Sequence, residues 1–591
     1  MKRVKKNHSE GKVTVSEFFG MQFKIIKELF TLYKLQTVLI IFFSGVLTFQ
    51  NYIELKFLEC MSNTVFSYRN GDAGNSFVSL LQTAAFFLSL LLVFKLISNL
   101  NYILSAIYNT NISAKVNKKL VNKLSSISYE YYESAAFYEK INLASKASSQ
   151  YPNAVWGITK IVNIIVLLVI YGAVLSKIST LFIFLIFLSI FLCVASSVKV
   201  TDQQLDFWRK KVSPETRRNN YFKGIFGSRI NHSNIQMNRS FPFFVRKYES
   251  YNLKERANYV RLNLFSFCTE IGISVMFMIV FCVIAVYLGA RVAGGDLQIG
   301  YFTMVIAMMF KLFSTVKQFS HFMLNQNWYI RVLDAYFEVM NFKECTTNYS
   351  ESTMDKIIVS DLVYKYPQSE TIALRNISID FTIGEKIAVV GKNGSGKSTF
   401  ISILLGLLEN FEGHYMKNDK EMVAILQDFG QYQMSIKENI EIGCGGKSLS
   451  EVRVNEILKE VGLYDSVSSL PDGMYTKVGQ LDTGVELSKG QWQRIAIGRL
   501  LANDNANVWI LDEPTAYLDP LAEIQIYQLI SDIAKDRLVF FISHRLGFAK
   551  KADRILVMDE GIVREEGTHN ELMKKNGLYA EMFSVQRDWY I

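Results

Sequence analysis

The sequence predicts two architectures in series, a polytopic α-helical membrane domain and then a soluble α/β domain. Three observations predict them. Long apolar runs fill the first three-fifths of the 591 residues, so the 50% hydrophobic content of the whole chain averages two unlike parts. The last two-fifths alternates apolar and polar residues as strands and amphipathic helices do. Within that second part the apolar run Ile387-Ala388-Val389-Val390 passes straight into a glycine-rich turn, Gly391 to Thr399.

The membrane part comes first along the chain. A helix of about 20 apolar residues spans a bilayer. Six stretches qualify: residues 35–53, 77–97, 155–175, 180–200, 264–290 and 299–321. The second, fourth and fifth are the most uniformly apolar. The first has Gln36 and Gln50 near its ends, and the third and sixth carry polar residues. Basic residues set the orientation. Lys2, Arg3, Lys5, Lys6, Lys12, Lys24, Lys27 and Lys34 precede the first span. Lys115, Lys118, Lys119 and Lys123 follow the second, and Arg209, Lys210, Lys211, Arg217, Arg218 and Lys223 follow the fourth. The intervening connections are short. Both termini and the two long connections are therefore expected in the cytoplasm of a multi-pass protein of the plasma membrane.

This distribution accounts for the formal net charge of +10 without any nucleic-acid partner. The N-terminal stretch lacks the apolar core and small-residue cleavage site of a secretory signal, so no cleaved signal peptide is expected. The six cysteines are scattered with no Cys-x-x-Cys pair, which reads as reduced thiols packed like small hydrophobes. The six histidines share no helical spacing, and no site built on a His/Cys cluster is expected.

The expected division is a cytoplasmic segment over 1–34, the membrane domain over 35–345, a polar linker over 346–355 and the soluble domain over 356–591. Its glycine turn reads Gly391-Lys392-Asn393-Gly394-Ser395-Gly396-Lys397-Ser398-Thr399. Glycines between a buried strand and a helix free backbone N–H groups to face phosphate oxygens, and the helix N-terminus adds its positive end. Lys397 would reach the β- and γ-phosphates, and the Ser398 hydroxyl would ligate Mg²⁺. The run Val508-Trp509-Ile510-Leu511-Asp512-Glu513 supplies the other half of such a site. Asp512 offers a carboxylate to Mg²⁺, and Glu513 can polarise an attacking water. Binding needs no base; hydrolysis does.

These motifs, in this order and spacing, make the chain resemble an ABC exporter half-transporter over essentially its whole length. The resemblance implies six transmembrane helices with long cytoplasmic extensions, followed by an α/β P-loop nucleotide-binding domain of ABC type. By the same resemblance Tyr366 stacks on adenine, favouring ATP, and Gln427 is the glutamine-loop residue that contacts Mg²⁺. Leu487-Ser488-Lys489-Gly490-Gln491 resembles the family signature, so Ser488, Gly490 and Gln491 would bind the γ-phosphate held by an opposite subunit. Asp519 matches the loop crossing the dimer interface, and His544 matches the γ-phosphate-sensing switch histidine. ATP and Mg²⁺ are the implied cofactors.

One chain carries half of each site, so a dimer is implied, either a homodimer or a heterodimer with a second half-transporter. Lys489 stands where the signature usually has glycine, and Gln480 stands where the coupling loop usually has glutamate. Trp492-Gln493-Arg494 after the signature is similar to bacterial exporters of lantibiotics and other peptides. The implied function is ATP-driven export of a substrate such as a bacteriocin or lantibiotic peptide. The alternatives are a multidrug or lipid exporter, or a non-transporting ATP-gated channel or sensor. Too little sequence precedes the first span for the peptidase domain of some peptide exporters, so leader removal from any peptide substrate is expected elsewhere or after export. The aromatic stretches 129–138 and 221–226 resemble the two coupling helices that dock on the nucleotide domain. Lys95, Glu270 and Lys311 are ionisable groups in or near spans, with Lys95 and Lys311 expected to reach the cytoplasmic headgroups.

Overall fold

The computed structural model describes residues 15–588 except 70–72, most of 177–212, 345–349, 353–355, 367–368, 419–420, 480–483 and 544–545. By its contacts the chain forms two units. One is Met1–Ser125 with Ala136–Phe342, and the other is Ser126–Ala135 with Lys343–Ile591.

The first unit is helical. Helix α1 is Val15–Arg69, α2 is Ala73–Ser126, α3 is Ala135–Ala144, α4 is Ala147–Gln150 and α5 is Asn153–Leu175. The helices Ser213–Gly227, Arg229–Met237, Phe241–Ala293 and Ile299–Met340 follow further along the chain. The 54 residues of α2 make a rod of about 80 Å, far longer than a bilayer core of about 30 Å. Five described helices contain a stretch long and apolar enough to cross a membrane: Phe23–Ser67, Phe77–Ser126, Asn153–Leu175, Glu270–Ala293 and Ile299–Gln318. The expected span at 180–200 falls largely outside the described residues.

Local chemistry shapes these helices. α1 kinks at Tyr33, where the Thr37 hydroxyl donates to the Tyr33 carbonyl at 2.9 Å and lies 2.9 Å from the Tyr108 hydroxyl of α2. The Ile299–Met340 helix presses its start against α1 at Gly300, where a Cβ would stand 2.2 Å from the Glu59 carbonyl oxygen. The buried core of the unit gathers Leu167 and Tyr171 of α5, Ile284 and Leu288, and Met304, Val305 and Met308.

One sequence expectation is corrected here. Lys311 does not reach for headgroups: it pairs with Glu54 of α1, because a half-buried carboxylate 257 positions away in sequence offers a better partner than water at the helix end. The aromatics at 221–226 lie within the Ser213–Gly227 helix and pack against the Phe241–Ala293 helix. Phe222 stacks on Tyr251 at 5.4 Å and Phe226 on Phe241 at 6.2 Å. Phe222 and Phe226 thus pack within the bundle while Tyr221 stays exposed; the short helix Arg229–Met237, capped by Ser228, follows them.

The other aromatic stretch behaves differently. Residues Ser126–Ala135, with the short 3₁₀ turn Tyr129–Glu133, belong by contact to the second unit. The Glu130 carboxylate accepts hydrogen bonds from the backbone N–H groups of Glu409 and Asn410, both at 2.8 Å, and from the Asn410 side chain. Ile127 bridges Glu344 as an isolated β pair.

The second unit is layered α/β. A four-stranded sheet has the order β1-β5-β2-β3, with β1 Ser350–Ser352, β2 Lys356–Tyr364, β3 Leu374–Thr382 and β5 Glu412–Asn418. A six-stranded sheet has the order β10-β9-β4-β8-β7-β6. Its strands are β4 Lys386–Gly391, β6 Met422–Ile425, β7 Val508–Asp512, β8 Leu538–Ile542, β9 Arg554–Asp559 and β10 Ile562–Gly567. All its pairings are parallel except β9 with β10. β4, β7 and β8 are buried along almost their whole length, which is why they read as unbroken apolar runs. Parallel order brings the carboxyl ends of β4, β8, β7 and β6 to one edge, the usual place for a ligand in such a sheet.

Candidate active site

The site grows from that edge. β4 and β7 both pair with β8, so their ends stand two strand spacings apart, about 10 Å. The glycine turn arches out of β4 between them. Gly391 is required where it is: a Cβ there would stand 2.1 Å from the Met558 carbonyl oxygen of neighbouring β9. Gly394 and Gly396 adopt φ of 78° and 100°, the left-handed region that favours glycine. The turn delivers its backbone to the start of the helix Lys397–Leu404, whose positive end faces the same way. The Ser395 hydroxyl is buried with no hydrogen-bond partner among the described residues.

Lys397 is only 5% exposed. Its ammonium donates to the Gly391 and Lys392 carbonyls at 2.8 and 2.9 Å. Burial holds its pKa below the usual value, against the opposing fields of Asp512 and Glu513. Asp512, also buried, has its carboxyl pushed up to about 6, first by burial, then by the adjacent Glu513 charge, with Lys397 pulling the other way. A cation and two carboxylates thus share one poorly solvated cleft.

The cleft has a volume of about 940 Å³. Of the residues expected from sequence it gathers Tyr366, Asn393 through Thr399, Gln427, Asp512 and Glu513. The Tyr366 hydroxyl lies 3.1 Å from Thr399 Oγ1, tethering the ring to the first turn of the phosphate helix. Gln427, just past β6, donates its amide to Glu513 Oε2 at 3.3 Å. The Ser398 hydroxyl, Gln427 amide oxygen and Asp512 carboxylate are all hard oxygen donors, the set that suits Mg²⁺. A divalent cation beside Asp512 would offset the burial that raises its pKa.

Ser488, Gly490, Gln491 and Asp519 are not among the residues lining this cleft. Ser488 caps the helix Lys489–Leu501 in a reciprocal box with Gln491: Gln491 N–H donates to Ser488 Oγ at 3.2 Å, and Ser488 N–H donates to Gln491 Oε1 at 2.9 Å. Gly490 lies against the next loop, where a Cβ would stand 3.1 Å from the Tyr517 carbonyl oxygen. Lys489, the departure from the family pattern, lays its ammonium over the Tyr517 ring at 4.9 Å. Asp519 caps the helix Pro520–Ile533, accepting from the N–H groups of Ala522 and Leu521. The Ala522 bond, the larger cause, holds its carboxyl below the usual range. His544 and Gln480 lie outside the described residues.

Two residues given no site role from the sequence tie these parts together. Gln493, 1% exposed, donates to the Glu513 carbonyl at 3.1 Å and accepts from the Tyr517 N–H at 2.9 Å. Glu513 needs such a hold, because its φ of 50° costs a side-chain-bearing residue about 1–2 kcal/mol. Arg499, on the same helix, donates to the carbonyls of Gly430 and Asn439 and to Asn439 Oδ1. It pins the segment that follows Gln427. The available sequence signal was faint: a glutamine and an arginine on the apolar face of one helix.

Residues 374–516 match the ABC transporter family model. Over most of its length the chain is similar to the subtilin transport ATP-binding protein SpaT of Bacillus subtilis, 27% identical across 83% of this chain and 82% of that protein. The nisin transport ATP-binding protein NisT of Lactococcus lactis subsp. lactis is also 27% identical, across 80% and 82%. The ATP-dependent lipid A-core flippase of Photobacterium profundum is 32% identical, across 51% of this chain and 54% of its own. A solved structure of a bacterial Atm1-family ABC exporter with ATP bound matches with a TM-score of 0.79 at 19% identity, covering 95% of this chain and 99% of that one. At that identity the match is one of fold.

Proposed function

We propose that the chain, whose residues 374–516 match the ABC transporter family model, is a multi-pass exporter half-transporter with one ATP-binding domain that exports a peptide from the cytoplasm as a homodimer. One observation carries the dimer. The phosphate loop, Asp512 and Glu513 share a cleft that the signature residues do not line. Each ATP then lies between the cleft of one chain and Ser488, Gly490 and Gln491 of the other. The peptide reading rests on SpaT and NisT, which match over about four-fifths of their length and are named for transport of subtilin and nisin, both lantibiotics. The flippase matches over only about half.

In this mechanism Tyr366 stacks on the adenine and the loop amides with Lys397 cradle the phosphates. Ser398, Gln427 and Asp512 would hold Mg²⁺, which neutralises phosphate charge when bound. Glu513 polarises the attacking water while Gln427 orients its carboxylate. His544 senses the γ-phosphate. Residues Ser126–Ala135 carry the motion: Glu130 grips the backbone of Glu409 and Asn410, so a shift of that backbone pulls on the chain leading from α2. ATP drives transport only through its different affinity for the two states.

The test is uptake of a labelled lantibiotic precursor into inverted membrane vesicles. Accumulation that requires ATP is expected. ATP hydrolysis in lipid with no movement of any tested peptide, lipid or drug would favour the rival reading, a non-transporting ATPase.

A further inference from the structure

The helical unit holds a polar cavity that the ATP chemistry does not use. Its volume is about 260 Å³, and its wall includes Ser44, Thr48 and Asn51 of α1, Lys160 and Asn163 of α5, and Gln318. Each lies in a helix long and apolar enough to span the membrane, where polar groups are costly and tend to mark a pathway. The Asn163 amide is held within 2.9 Å of Thr48 Oγ1 and 3.1 Å of Ser44 Oγ, which fixes it at the cavity wall.

The cation is the informative member. Two other lysines of the same bundle are neutralised: Lys311 by Glu54, and Lys317 by Glu270 at 3.7 Å. No described carboxylate pairs with Lys160, whose ammonium instead lies 4.5 Å above the Phe322 ring. An aromatic face steadies a cation but leaves its charge uncompensated. The cavity therefore presents one positive charge beside amides and hydroxyls. It is also smaller than the roughly 300–1,000 Å³ of a pocket for a whole small molecule, so it suits a short stretch of a longer chain.

We propose that this cavity is a substrate subsite that takes a carboxylate-bearing segment of the exported peptide. The carboxylate pairs with Lys160, and the peptide's backbone amides meet Asn51, Asn163 and Gln318. The assignment rests on the peptide-export reading, and the experiment separates the two. Full-length protein in nanodiscs is titrated with a fluorescent glutamate-rich peptide and with its glutamine counterpart, by anisotropy. Wild type should bind the glutamate peptide roughly tenfold more tightly, the scale of one charge-assisted hydrogen bond. Lys160→Met should lose the preference, Lys160→Glu should reverse it, and Lys160→Arg should retain it, which also controls for folding. Equal binding of both peptides by wild type, or a preference unchanged in Lys160→Met, overturns the subsite. Binding of fluorescent phosphatidylglycerol that needs Lys160, with no peptide bound, gives the cavity to a lipid headgroup and overturns it too. Peptide bound with the expected preference but never carried into vesicles supports the subsite and removes the export reading instead.

Discussion

Replacing Asp512 by asparagine should make the metal-free protein more stable while abolishing its turnover. The Asp512 carboxyl titrates near 6 in the fold against an ordinary 3.8. Between those values the folded chain holds a proton that the unfolded chain has lost. Stability therefore falls as pH rises through that window, and the whole penalty is present above it. A gap of about two units at about 1.4 kcal/mol each amounts to about 3 kcal/mol. Asparagine keeps the shape and carries no charge. For a unit of this size each kcal/mol moves the midpoint by roughly 2–4 °C, so Asp512→Asn should melt roughly 6–12 °C higher at pH 8 in EDTA. The assay is intrinsic fluorescence of the full-length protein during heating, repeated from pH 8 downward. The difference should shrink as the pH approaches 4, where wild-type Asp512 is itself neutral. Mg²⁺ with ATP should stabilise wild type and add little to the variant. A variant no more stable than wild type at pH 8, or a difference independent of pH, would refute the view that this carboxylate is held against its own burial.

Three further outcomes follow from the same geometry. Glu513→Gln should still bind ATP but lose turnover by about 10²–10⁴-fold, the scale of general-base catalysis, and accumulate as an ATP-bound dimer on a sizing column; near-normal turnover would remove Glu513 as the base. Lys397→Ala and Ser488→Arg should each be inactive alone, yet mixed chains should regain part of the ATPase activity, since one mixed dimer carries both lesions in one site and none in the other; no recovery would count against sites shared between two copies. Gln493→Leu should lower kcat at least tenfold with little change in ATP affinity, and cost about 1–3 kcal/mol of stability for the hydrogen bonds lost to Glu513 and Tyr517; an unchanged kcat would make Gln493 a packing residue only.

What the sequence by itself determined is whatever short stretches encode. The phosphate loop is legible because Gly391, Gly394 and Gly396 meet their conformational demands within a few residues. The membrane-spanning runs are legible because apolarity over one helix length is enough to place them in lipid. Tertiary structure decided the pairings between distant residues. The aromatic stretches at 129–138 and 221–226 look alike in sequence, yet the first supplies Glu130 to the backbone of Glu409 and Asn410 and the second stacks within its own bundle. Lys311 and Lys160 both lie in long apolar helices, but only Lys311 has a described carboxylate partner. Gln493 gained its place from the approach of Glu513 and Tyr517 across a loop. A charge or hydrogen bond takes its energy from whichever groups the fold brings within about 3–4 Å, and composition along the chain carries no record of that distance.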